Sequence, residues 1–311
     1  MADEVTFSLL SSNGGRVSSV LSALVAEQLW DPTDLRQTLD FYGWNAYGSD
    51  TMDVSQNAVP GSFTAATSEI VGTNVANSAY TTSRFQLQVA RYLRKYQLSD
   101  LFGVSGGPID LSTVVKALQD GVALTMTDLL TALFTSVANS VGSTGVDLTV
   151  DNIYSAAFQL NSSNAMSTAD APYTAVIHST QMNDFRSSLR AETGAMQWAP
   201  ATSEMLATKG PGYQGSWNGI QFYQAERVQS ANAGADRCGC MYAKGAFAYT
   251  LAPVGSMQGH IPQQNIILDA GALVVESSRD ADNGLTSAVA NLYPGIVEAE
   301  DLRACAIITD A

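Results

Sequence analysis

Charge is scarce in this sequence. Asp, Glu, Lys and Arg make up 14% of its 311 residues, about half the usual share. Cations are the scarcer sign: 15 Lys and Arg face 29 Asp and Glu, for a net charge of −14 and a pI near 4.3. Lysine occurs only at Lys95, Lys116, Lys209 and Lys244. Tight binding along a nucleic-acid backbone needs Lys and Arg to displace counterions, so the composition excludes that role. It leaves open a container that encloses nucleic acid without holding it tightly. A surface so poor in charge also points to burial against other subunits.

Other absences narrow the field further. Three cysteines, Cys238, Cys240 and Cys305, make no disulfide framework and read as free thiols of a reducing compartment. Two histidines, His178 and His260, leave little for metal or nucleophilic chemistry. No run approaches the roughly 18 apolar residues of a membrane span, and "MADEVTF" carries no cationic or apolar leader pattern. The expectation is a soluble protein made in a cytoplasm, with no membrane partner.

What is present is a core. Apolar residues make up 46% of the chain, enough for one large domain or two ordinary ones. Residues 1–15 read as an arm, and Val17, Val20, Leu21, Leu24, Val25 and Leu29 then repeat at helical spacing up to Asp31-Pro32. From Gly43 to Ala79 the chain is rich in Gly, Ser, Thr and Asn. Such a length without a core is either a disordered linker or a two-stranded finger packed by a neighbour. Phe85, Leu87 and Val89 alternate with polar residues as in a half-buried strand.

Residues 110–139 give the strongest helix signal, with Leu111, Val114, Val115, Leu118, Val122, Leu129, Leu133, Phe134 and Val137 on one stripe. Thirty helical residues would span about 45 Å. "TVDNIYSAAFQL" predicts a helix capped at Thr149 or Asp151. "YTAVIHSTQMNDFRSSLRAE" predicts a strand and then a helix starting at Ser179 or Thr180, with Met182, Phe185 and Leu189 inward. Beyond Ile220 most segments read as strands.

The motifs offer little chemistry. Gly210, Gly212 and Gly215 in "KGPGYQGSWNGIQFYQ" match G-x-G-x-x-G. A dinucleotide loop needs a strand before it and a helix after it. Here the following residues alternate as a strand, so the glycines predict a tight corner. "CGC" has the wrong spacing for a zinc pair. "RDADNG" from Arg279 resembles a calcium loop but places its glycine one position early. His178 at a strand–helix junction is a candidate base or a backbone cap. No catalytic, metal or cofactor residue is assigned.

In order, the arm, the polar finger, "YQLSDL", the long helix, the α/β segment and the closing strands resemble major capsid proteins of tailed bacteriophages, which have the Hong Kong 97-type fold. "AVIHSTQMNDFRSSL", "GYQGSWNGIQFYQAERV", "CMYAKGAFAYTL" and the closing "TSAVANLYPGIVEAEDLRACAIITDA" carry the resemblance as a set. It implies an α+β fold with an N-terminal arm (1–42), an extended loop (43–97) and a peripheral domain with its spine helix (98–147). An axial domain (148–285) and strands returning to the peripheral domain (286–311) would complete it.

The function implied is a non-enzymatic shell protein of the virion, assembled in the host cytoplasm from pentamers and hexamers. Its partners would be a portal and a scaffold or cement protein, with packaged double-stranded DNA contained rather than bound. Arg84, Arg91, Arg94 and Lys95 form the main cationic cluster. They are candidate contacts to a neighbour's carboxylates or, alternatively, a solvated strand end. The competing functions are an encapsulin-like cargo compartment and, from another class, a soluble hydrolase using His178 or Cys238.

Overall fold

The computed structural model describes residues 35–45, 49–57, 82–99, 111–163, 165–168, 171–191, 198–210, 212–253, 266–269 and 273–310. The expected arm helix at 17–29, the middle of the finger and His260 lie outside the described residues. So do the side chains of Leu111, Val114, Val115 and Leu118.

In chain order the strands and helices are β1 (Asp40–Phe41), β2 (Thr51–Asn57), β3 (Thr82–Gln88), β4 (Tyr92–Ser99), α1 (Leu111–Leu133), β5 (Ser140–Val141), α2 (Val150–Ser162), β6 (Tyr173–Ile177), α3 (Ser179–Ala191) and β7 (Trp198–Pro200). They continue with α4 (Ser203–Lys209), β8 (Tyr213–Trp217), β9 (Ile220–Gln224), β10 (Ser230–Ala231), β11 (Asp236–Tyr242) and β12 (Phe247–Leu251). The last are β13 (Ile266–Asp269), β14 (Leu273–Asp280), β15 (Leu285–Leu292), β16 (Pro294–Glu298) and β17 (Ala304–Asp310).

An eight-stranded mixed sheet runs β5-β17-β11-β6-β9-β8-β7, with β10 added on β11. Side chains alternate across a strand, and here both faces are apolar. From β6, Tyr173, Ala175 and Ile177 join one core with Ile153 and Leu160 of α2 and Met182, Phe185 and Leu189 of α3. Val176 points the other way, into a core with Leu35, Leu130 and Phe134. Thr149 caps α2, its Oγ1 accepting from the Asn152 N–H at 3.4 Å. A sheet covered on both faces needs near-continuous apolar strands. That is why β6, β11 and β17 carry so few polar residues.

The long helix is shorter than its apolar repeat. It ends at Leu133, giving 23 residues and roughly 35 Å of length. Thr135 and Ser136 donate their hydroxyls to the carbonyls of Ala132 and Leu133. The chain closes with tight turns while Phe134 and Val137 still face the core. Apolar spacing therefore outlasts the helix.

Three smaller sheets complete the fold. One is antiparallel, β13-β14-β15-β4. Another joins β1, β12 and β16. The third is the β2–β3 pair, registered Thr51 on Gln88 through Asn57 on Thr82. Met52, Phe85 and Leu87 of that pair bury against Ala248 and Val297, while Asp53, Ser55, Arg84 and Gln86 are exposed. Gly295 permits the approach, since a Cβ there would stand 2.6 Å from the Gln88 carbonyl oxygen.

The closing strands correct one expectation. Strand β15 does pair with β4, but β17 does not return to that sheet. It lies between β5 and β11 inside the eight-stranded sheet. Its Cys305 and Ile307 feed one core and its Ala304 and Ala306 the other. A strand with two apolar faces is stable only where both are covered.

Candidate assembly site

The four candidate cations divide between two sheets. Arg84 is exposed on β3, opposite Ser55. Arg91, just before β4, is exposed, and its Nε donates to Oδ1 of the buried Asn291 at 2.8 Å. Arg94 packs over α1: a Cβ added at Gly121 would stand 2.9 Å from its Nη1. Gly121, inside the helix, is thus the seat of an arginine. Lys95 stands next along β4, and consecutive strand residues face opposite ways. Its charge adds a small pull on Asp280, whose carboxyl is held low mainly by hydrogen bonds from Asn283. The structure brings Arg91, Arg94 and Lys95 onto one segment and leaves Arg84 on another.

Beside Arg94 is a groove of about 180 Å³ between β4, β15 and α1, lined by Tyr92, Leu93, Gly121, Val122 and Leu292. Leu93 is 59% exposed at its rim. A second apolar surface lies on α2, where Phe158 is 73% and Tyr154 46% exposed, with Met166 (70%) just beyond the helix. Aromatics left on the outer face of an otherwise polar stripe mark an interaction surface more often than isolated exposed residues do. The signal was present in the sequence, because Phe158 falls off the inward stripe of Ile153, Ala156 and Leu160.

The residues considered for chemistry are committed elsewhere. His178 precedes α3, and its Nδ1 accepts from the Thr180 N–H at 3.3 Å and lies 2.9 Å from Thr180 Oγ1. Its Nε2 lies 3.2 Å from Glu226. Burial lowers its pKa, reinforced by Arg237 and opposed by Glu226. The ring is a helix cap held by a carboxylate. The middle residue of "CGC" explains that motif: a Cβ at Gly239 would stand 2.9 Å from Gln181 Oε1. Gln181, fully buried, donates to the Arg237 carbonyl and to Thr309 Oγ1, tying α3 to β11 and β17. Burial pushes the Cys238 thiol up to about 11 and Cys305 up to about 12, so neither is a ready nucleophile near neutral pH. Asp280 accepts from the Asp282 and Asn283 N–H groups within its own turn. No cluster of three or more metal-binding side chains occurs among the described residues.

The glycine motif lies between a helix and a strand, the reverse of a dinucleotide loop. Gly210, at φ 90°, ends α4 by donating to the Leu206 carbonyl. Gly215, at φ 139°, sits on β8 where a Cβ would meet the Ala199 carbonyl oxygen at 2.5 Å. The glycines make the corner and let β7 approach β8.

No protein-family model matches the chain, and no curated protein matches it at a significant level. Solved structures do. The capsid of the cyanophage P-SCSP1u superposes with a TM-score of 0.60 at 11% identity, over 88% of this chain and 86% of that one. The chain has the fold of phage capsid proteins. The capsid of a native GTA particle agrees at TM-score 0.58 and 13% identity, over 90% of this chain and 91% of that one. The same capsid fold extends to the SrpI encapsulin of Synechococcus elongatus, at TM-score 0.55 and 13% identity over 89% and 87% of the two chains.

Proposed function

We propose that the chain is a major capsid protein that assembles into the closed icosahedral head of a tailed bacteriophage around double-stranded DNA. The observation that carries this is the capsid fold shared along nearly the full length of both chains. Low charge and net acidity suit a subunit contacted on many sides whose lining does not trap DNA. In this assignment residues 1–42 are the arm and 43–97 the extended loop of the Hong Kong 97-type fold. Residues 98–147 carry the spine helix, and 148–253 with β17 form the axial unit at five-fold and six-fold centres. Arg84, Arg91, Arg94 and Lys95 meet carboxylates of neighbours. The protein is structural rather than catalytic, and works with a portal and a scaffold or cement protein.

The lock between subunits is non-covalent. No lysine precedes Lys95, and arginine, protonated near neutral pH, is a poor nucleophile for an isopeptide bond. Particles boiled in detergent without reductant should run as one band near 32.8 kDa. A ladder of covalent pentamers and hexamers would overturn this.

An encapsulin-like compartment is the second reading, favoured by the SrpI likeness. Mass spectrometry of purified particles separates the two. Portal and tail proteins with DNA support the phage head, and a packaged enzyme supports the compartment.

A further inference from the structure

Two carboxyl groups meet where the long helix, the support of the β2–β3 hairpin and the eight-stranded sheet join. Glu298 ends β16, beside Phe247 of β12. Its Oε2 accepts from Ser136 Oγ at 3.2 Å, just past the end of α1. Its Oε1 is buried, and no donor among the described residues reaches it. Asp301, in the turn before β17, accepts the Ala138 N–H on Oδ1 at 2.8 Å, and its carboxyl lies within hydrogen-bonding reach of Glu298.

The surroundings disfavour two negative charges. The C-terminal end of a helix carries partial negative charge. The Cys240 thiol, within electrostatic reach on β11, is held neutral by burial. The nearby Arg303 is committed, its Nε to Glu300 at 2.8 Å and its Nη1 to the Lys244 carbonyl. Ser136 supplies one neutral donor.

We propose that the Glu298 carboxyl, set against Asp301, acts as a proton-operated clasp, closing the end of α1 onto β16 and the turn before β17 when protonated and loosening when the proton leaves. With the proton in place, Glu298 donates to Asp301, and Asp301 holds the Ala138 N–H. Without it, two carboxylates face each other across a partly buried site, and water must enter to solvate them. Because Ala90 N–H donates to the Pro294 carbonyl at the other end of β16, loosening reaches the strand that supports the hairpin. The clasp is a property of the single chain and holds whether or not the chain forms shells.

The direction with pH follows from linkage. Burial, then the hydrogen bond and charge of Asp301, push the Glu298 carboxyl up from 4.5 to about 7. The fold thus keeps a proton that the unfolded chain releases. The clasp is fully present below about pH 4.5 and is lost as pH rises through about 7.

Thermal unfolding of the full chain from pH 5 to pH 8, for wild type and Glu298→Gln, tests this. The glutamine donates at every pH. Its Tm advantage over wild type should grow across the range by about 2–4 °C, the scale on which small stability changes move Tm in a domain of this size. Asp301→Asn, which removes the like charge, should shift the wild-type loss to lower pH. Parallel curves for all three proteins would overturn the clasp. Amide exchange at Ala138 in the wild-type protein gives the same answer if a variant does not fold. Its protection, corrected for base catalysis, should fall several-fold between pH 6 and pH 8, and constant protection refutes the proposal.

Discussion

The eight-stranded sheet and the β2–β3 hairpin solve burial in opposite ways. The sheet is sandwiched by this chain alone. Helices α2 and α3 lie on one face, and the end of α1 with Leu35 lies on the other. The hairpin has one covered face, Met52, Phe85 and Leu87, and one open face that includes Arg84. A two-stranded ribbon is marginal by itself. The sheet is self-sufficient, and the hairpin leaves a face that a second molecule can cover.

The largest effect is expected at the joint between α1 and the sheet. Leu130→Asp places an unpaired carboxylate in a fully buried position beside Phe134. The cost is several kcal/mol against the roughly 5–15 that holds a domain together, so no soluble protein is expected. Soluble protein with wild-type circular dichroism would show that α1 does not anchor the sheet.

Phe185→Ala should cost about 3–5 kcal/mol. Phe185 stacks on Phe222 at 4.9 Å and meets Trp217 edge-on at 5.7 Å. Urea unfolding should show a lower midpoint with an unchanged slope.

Leu87→Ala removes a fully buried anchor of the hairpin, a change worth about 2–5 kcal/mol locally. Hydrogen exchange should rise in 51–57 and 82–88 and stay unchanged in 173–177. Equal loss in both segments would make hairpin and sheet one cooperative unit. The smallest effect on the folded chain belongs to Arg84→Ala. An exposed charge is worth within about 0.5 kcal/mol, so urea stability should not move, while particle yield falls.

Local patterns made much of this legible. A short β-branched apolar run followed by helical spacing located β6 and α3 and fixed Met182, Phe185 and Leu189 inward, as observed. The residues after Gly215 read as strand because polar and apolar side chains alternate there. Partners distant in sequence were not legible. Nothing in "ACAIITD" says that it inserts between β5 and β11, because any two-faced apolar strand satisfies the same pattern. The four cations looked like one cluster because a list of positions carries no sheet membership. Gly121 and Gly239 each make room for a side chain from another element, Arg94 and Gln181, which sequence spacing does not reveal. The Glu298–Asp301 pair escaped notice because spacing does not report burial.

The proposed function requires many copies of this chain to close into a shell. Negative-stain electron microscopy of the purified protein, alone and after co-expression with a candidate scaffold protein, is the direct test. The account predicts isometric closed particles of uniform diameter with pentameric and hexameric clusters on their surface. A folded protein that stays monomeric under every assembly condition, scaffold included, would contradict it.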